Sequence, residues 1–79
     1  MFEMNEILEI IEEVIEREIV SNEVDLFSQG LDSLGVLKLI TFLEDRLDIE
    51  INDDDLTVEN MMSVNSIFNM VNKYENKSK

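Results

Sequence analysis

The chain contains no proline, and its two glycines, Gly30 and Gly35, both stand near the middle. Proline and glycine are the residues that interrupt helices most strongly, so long helices are open to the sequence on either side of that point. This scarcity points to an all-helical domain. At 79 residues the chain is read as a single domain, 1–79, near the lower size at which a core forms without staples.

Apolar spacing marks the helices. Met4, Ile7, Leu8, Ile11, Val14 and Ile15 recur on one helical face, predicting a first helix over 3–19. Glu6, Glu9, Glu12, Glu13 and Glu16 take the other side, with Arg17 as the i,i+4 partner of Glu13, and Ile10 and Ile19 lie off the main stripe. In so short a chain the apolar face serves as core before it serves as a partner surface. A second helix is expected over 33–47, with Val36, Leu39, Ile40, Leu43 and Leu47 in one stripe. Leu34, Lys38, Thr41 and Asp45 fall opposite, while Leu37 and Glu44 flank one side of the stripe. A short third helix is expected over 57–62, capped by Thr57, and a last one from Ser63 or Val64 to Tyr74. Val64, Ile67, Phe68 and Val71 form its inward face, and the polar end 76–79 suits a frayed helix terminus.

Two connections carry chemistry of their own. In 21–32, Asp25-Leu26-Phe27 reads as a turn pinning the loop to the core, with Gly30 free to take positive φ. In 48–56, Ile49 and Ile51 turn inward, and Asp53, Asp54 and Asp55 offer oxygen ligands for a hard cation. The spacing of a calcium loop is missing, so a solvated loop preceding the next helix is the better account, and no metal site is assigned.

Ser33 opens the second helix between the two glycines. Its hydroxyl has two readings: a helix N-cap, or the bearer of a covalent phosphate-linked group where the helix dipole favours negative charge. The composition limits the rest. There is no cysteine, hence no disulfide, thiolate metal site or cysteine nucleophile, and no histidine, the commonest general base. An enzyme would need carboxylate-only or metal chemistry, for which no convergent pair stands out. A net charge of −13 repels nucleic acid and anionic lipid and attracts proteins with basic patches. No stretch reaches the roughly 18 apolar residues of a membrane span, so a monomer in the cytoplasm is expected, without membrane insertion.

The order of parts resembles the acyl carrier proteins, including peptidyl carriers and the D-alanyl carriers of teichoic acid synthesis. The resemblance spans about 5–74 and rests on Asp25-Leu26-Phe27, Gly30-Leu31-Asp32-Ser33-Leu34, the run from Leu43 to Ile51, and Thr57 to Val64. It implies a four-helix acyl-carrier-like bundle with three longer helices and a short third one. It also implies that Ser33 carries 4′-phosphopantetheine, transferred from coenzyme A by a separate phosphopantetheinyl transferase. Asp32 matches the family's acid beside that serine, and Leu34 its hydrophobic contact for partner enzymes. The partner-binding face would comprise Leu34, Gly35, Leu37, Lys38, Thr41, Glu44 and Asp45. Partners would be an acyl- or aminoacyl-activating ligase and downstream synthases or transferases.

Gly35 and Lys38 stand where fatty-acid carriers usually have acids, which points to a dedicated pathway. Asp32-Ser33-Leu34-Gly35 resembles the Asp-Ser-x-Gly of D-alanyl and some stand-alone peptidyl carriers, which leans the cargo toward amino acids. A rival reading keeps the acidic helices as a protein-interaction module, or an inhibitor of a basic surface, with Ser33 a plain N-cap.

Overall fold

A computed structural model describes residues 2–75; the polar end at 76–79 lies outside the described residues. Four helices appear in order: α1 (Met4–Ile15), α2 (Ser33–Leu47), α3 (Val58–Met61) and α4 (Val64–Glu75). A 3₁₀ turn at Asp53–Asp55 precedes α3. The described residues contain no strand. α1 packs against α2 and α4, and α3 packs against α4. This is the expected four-helix bundle.

The core follows the periodic residues. Ile7, Ile11, Val14, Leu26, Leu39, Leu43, Leu47, Ile51, Ile67 and Val71 are buried as the spacing predicts. Leu8, Ile15, Phe27, Val36, Ile40 and Phe68 are only partly buried and line its rim. Ile10, off the expected stripe, is also buried, because α1 has neighbours on two sides and its apolar face is correspondingly wider. Leu31, Met61, Met70 and Tyr74 join the core from outside the expected set.

α1 stops short of the expected residue 19. Glu16 adopts the left-handed conformation (φ 59°) and its N–H bonds back to the Glu12 carbonyl at 2.8 Å. The Glu12 carboxylate then accepts the N–H of Ile19 at 2.8 Å, which returns Ile19 to the core. α2 ends in the same way. Asp48 is left-handed (φ 56°), its N–H bonds to the Glu44 carbonyl, and the Glu44 carboxylate accepts the Ile51 N–H at 2.9 Å. The two runs, Glu12-Glu13-Val14-Ile15-Glu16-Arg17-Glu18-Ile19 and Glu44-Asp45-Arg46-Leu47-Asp48-Ile49-Glu50-Ile51, align residue for residue in this device. A left-handed non-glycine residue costs about 1–2 kcal/mol, which the cap hydrogen bonds and the returned isoleucine offset.

The expected Glu13–Arg17 pairing is replaced by longer-range contacts. Glu13 takes Arg46 at 2.8 Å, tying α1 to α2, and Arg46 also lies over the Phe42 ring. Arg17 donates to the Gln29 carbonyl at 3.0 Å, steadying the long connection. That connection is pinned as expected: Asp25 accepts the Phe27 N–H at 3.0 Å, and Leu26 is fully buried. Its backbone bonds reach the α3–α4 junction, from Leu26 N–H to the Met62 carbonyl at 2.7 Å and from Asn65 N–H to the Asn22 carbonyl at 3.1 Å. The loop is therefore part of the bundle, and it delivers α2 in a fixed position.

Candidate functional site

The site forms where the long connection turns into α2. Gly30 takes φ 111°, a conformation other residues rarely adopt, and a Cβ there would meet open space. Glycine is required for the turn, not for room. Leu31 then drops into the core and Asp32 stands extended as the N-cap. Its Oδ1 accepts the Gly35 N–H at 2.8 Å and its carbonyl accepts the Val36 N–H at 2.8 Å.

Ser33 is thus the first residue of α2 and not its cap, which corrects the N-cap reading. Asp32 holds that position, and the exposed Ser33 hydroxyl makes no hydrogen bond among the described residues. The N–H groups of Ser33 and Leu34 have no carbonyl one turn earlier to bond, as at any helix start, and the dipole favours an anion there.

Gly35 has the opposite reason from Gly30. A Cβ on it would lie 3.0 Å from Leu31 Cδ1 and 3.3 Å from Asp32 Oδ1. Its bareness lets Leu31 fold under the first turn while Asp32 closes the cap, a packing role that the sequence reading did not assign.

On the outer side of α2, Leu34 is 72% and Leu37 61% exposed, and Lys38, Thr41 and Asp45 are exposed as well. Thr41 Oγ1 donates to the Leu37 carbonyl at 3.0 Å. Gly35 and Glu44 differ from the rest of this expected face, since both are half-buried, and the Glu44 carboxylate is committed to Ile51.

Beside Ser33 lies an open groove of ≈ 570 Å³. Phe27, Val36, Leu37, Leu56, Val58 and Met61 give it apolar walls, and Asp32, Ser33 and Thr57 line it too. Val58, 63% exposed, extends the apolar surface from α2 onto α3. The sequence reading leaves Leu56, Val58 and Met61 out of the site, places Phe27 in the core and sets Val36 on the inward stripe of α2; the apolar residues in and beside the short segment 57–62 were the available signal. A hydroxyl at an anion-favouring helix start, with an apolar trough alongside, fits a phosphodiester-linked arm of amphipathic character.

The far wall of the groove is α3, too short to be stable alone. Thr57 Oγ1 accepts the Asn60 N–H at 3.2 Å, and Asn60 Nδ2 donates to the Asp55 carbonyl at 2.7 Å. Asp55 is held in turn by Lys73 at 3.0 Å and by the Tyr74 hydroxyl, which also accepts the Asn52 N–H at 3.0 Å. Burial first, then the Asp55 hydrogen bond and the charges of Asp55 and Asp54, raise the Tyr74 pKa above 10.0, so the hydroxyl keeps its proton and donates. The acidic run is therefore a structural joint at Asp55. Among the described residues no three acidic, histidine or cysteine side chains converge as a metal site.

Known proteins match this arrangement. The family model described as "Phosphopantetheine attachment site" covers residues 5–71. The chain is 37% identical to the D-alanyl carrier protein of Bacillus cereus over 65 residues, 78% of this chain and 82% of the relative. It is 36% identical to the acyl carrier protein of Buchnera aphidicola over 61 residues, 77% of this chain and 76% of the relative. Among solved structures, it resembles a chain in the crystal structure of Bradyrhizobium japonicum glycine:carrier protein ligase complexed with its cognate carrier protein and an analogue of glycyl adenylate. That match has a TM-score of 0.76 and 26% identity, covering 89% of this chain and 96% of the other. Fold, helix order and these matches agree: the chain belongs to the acyl carrier protein family, whose prosthetic group is 4′-phosphopantetheine.

Proposed function

We propose that Ser33 Oγ carries the 4′-phosphopantetheine arm and that this chain, a single domain, hands acyl or aminoacyl groups between enzymes. The observation that carries this reading is the free Ser33 hydroxyl: Asp32 does the capping, so modification of Ser33 breaks no bond of the fold. When attached, the arm supplies a thiol that holds cargo as a thioester, so neither cysteine nor histidine is needed in this chain.

The residues around Ser33 divide the remaining work. Asp32 fixes the first turn, and the first N–H groups of α2 favour the phosphodiester charge. Leu34 and Leu37 offer apolar contacts to whichever enzyme approaches the serine, with Lys38, Thr41 and Asp45 around them. The chain itself performs no catalysis. A phosphopantetheinyl transferase installs the arm, and an activating ligase loads it in the cytoplasm, where the chain works as a monomer and contacts neither nucleic acid nor membrane.

Aminoacyl cargo is the reading favoured here, supported by the D-alanyl carrier relative and by the likeness to a structure containing a glycine:carrier protein ligase. In the rival reading, an acidic interaction module, only the N-cap role of Ser33 is removed, since Asp32 is the cap.

Intact mass after incubation with coenzyme A and a broad phosphopantetheinyl transferase tests the proposal. A single phosphopantetheine adduct is expected on the native chain and none on Ser33→Ala; a native chain left unmodified by a competent transferase contradicts it.

A further inference from the structure

The groove beside Ser33 has two unlike walls. α2 is a full-length helix built into the core, whereas α3 has four residues and one buried side chain, Met61. What holds α3 comes from the far end of the chain. The Tyr74 hydroxyl, on α4, donates to Asp55 and accepts the N–H of Asn52, so it bridges both ends of the 3₁₀ turn. The Asp55 N–H closes that turn on the Asn52 carbonyl at 3.0 Å. The Asp55 carbonyl then receives both Asn60 Nδ2 at 2.7 Å and the Thr57 N–H at 3.0 Å, which fixes the approach to α3. Leu56, Thr57, Val58 and Met61, the groove wall, hang from this joint.

We propose that Tyr74, acting through Asp55 and Asn52, positions the α3 wall and so sets how far the groove beside Ser33 opens. Tyr74 is a positioning residue: it lines no part of the groove. Its ring is anchored in the core at 6% exposure, so only the hydroxyl need be lost for the joint to loosen. Without it the bonds to the Asn52 N–H and to the Asp55 carboxylate are both lost, and both belong to the turn that leads into α3. Lys73 grips the same carboxylate from an exposed position, where an ion pair holds little. The use of the groove by an arm rests on Ser33 being the attachment point; the joint itself does not.

The test is residue-resolved amide exchange on the unmodified chain, native against Tyr74→Phe. Exchange over 52–61 is expected to rise roughly tenfold or more, while Ile7, Ile11, Leu39 and Leu43 change by less than about threefold. Asp55→Asn keeps the size and one acceptor, and a smaller rise confined to the same residues is expected, which serves if Tyr74→Phe fails to fold. A rise of equal size in α1 and α2, or no rise over 52–61, overturns the proposal. Because no prosthetic group is involved, failure of Ser33 to take an adduct leaves this result standing, and the reverse holds too.

Discussion

α1 and α2 end alike and begin differently. Each ends on an acidic residue in the left-handed conformation, with a glutamate four residues back whose carboxylate collects an isoleucine N–H beyond the turn. At its start α1 uses Glu6, which reaches back to the Glu3 N–H at 3.0 Å, so the first turn is closed upon itself. α2 instead uses the residue before the helix, Asp32, and leaves the next one exposed and unengaged. The shared endings are devices of folding. The unlike beginning of α2 leaves a hydroxyl that the fold does not need, the one on which the proposed arm would sit.

Breaking the shared endings should have the largest effect on stability. Glu12→Ala and Glu44→Ala each orphan a half-buried N–H and loosen a buried isoleucine, and each is expected to cost about 1–2 kcal/mol. For a domain of this size that is a fall in melting temperature of roughly 4–8 °C per kcal/mol. Thermal unfolding of the two variants checks the likeness; a large loss at one end and none at the other would break it.

The unlike beginnings should separate next. Asp32→Ala removes an N-cap and is expected to cost about 1 kcal/mol, against about 0.5 kcal/mol for Glu6→Ala in its exposed turn. Denaturant unfolding of both variants, beside Ser33→Ala, which should leave the midpoint unchanged, sharpens the contrast. A Ser33→Ala loss as large as that of Asp32→Ala would return the capping role to Ser33.

The smallest effect concerns the alkaline limb. The Tyr74 pKa is raised in the fold, so its contribution is fully present below pH 10.0 and is lost as pH rises past that value. The native chain should therefore lose more stability than Tyr74→Phe between neutral and strongly alkaline pH, in paired melts at each pH. Parallel curves for the two chains would remove Tyr74 from the joint that holds α3.

The sequence reveals these parts unevenly, for physical reasons. The bounds of α2 are legible because Leu39, Leu43 and Leu47 repeat strictly and Asp32-Ser33 marks a start. The end of α1 is hidden, since the apolar spacing runs on through Ile15 to Ile19 and Glu16 turns left-handed without the glycine or asparagine that usually signals it. Asp32 and Ser33 are adjacent and both good caps, so only coordinates decide between them.

Leu34 and Lys38 fall on the outer face by helical geometry alone, while Leu37, which that geometry sets at the flank of the inward stripe, is 61% exposed. Leu56, Val58 and Met61 are not, because the wall they form depends on Asp55 meeting Lys73 and Tyr74, eighteen and nineteen residues away. By sequence the three aspartates read best as a solvated loop, and only those partners show that Asp55 is held.

Ser33 itself is tested most directly by locating the adduct. The chain is to be modified with coenzyme A and a phosphopantetheinyl transferase, then fragmented so that every serine and threonine is distinguished by mass. Phosphopantetheine is expected on Ser33 alone; an adduct on another residue, or none with an active transferase, would contradict the assignment of the α2 start as the functional site.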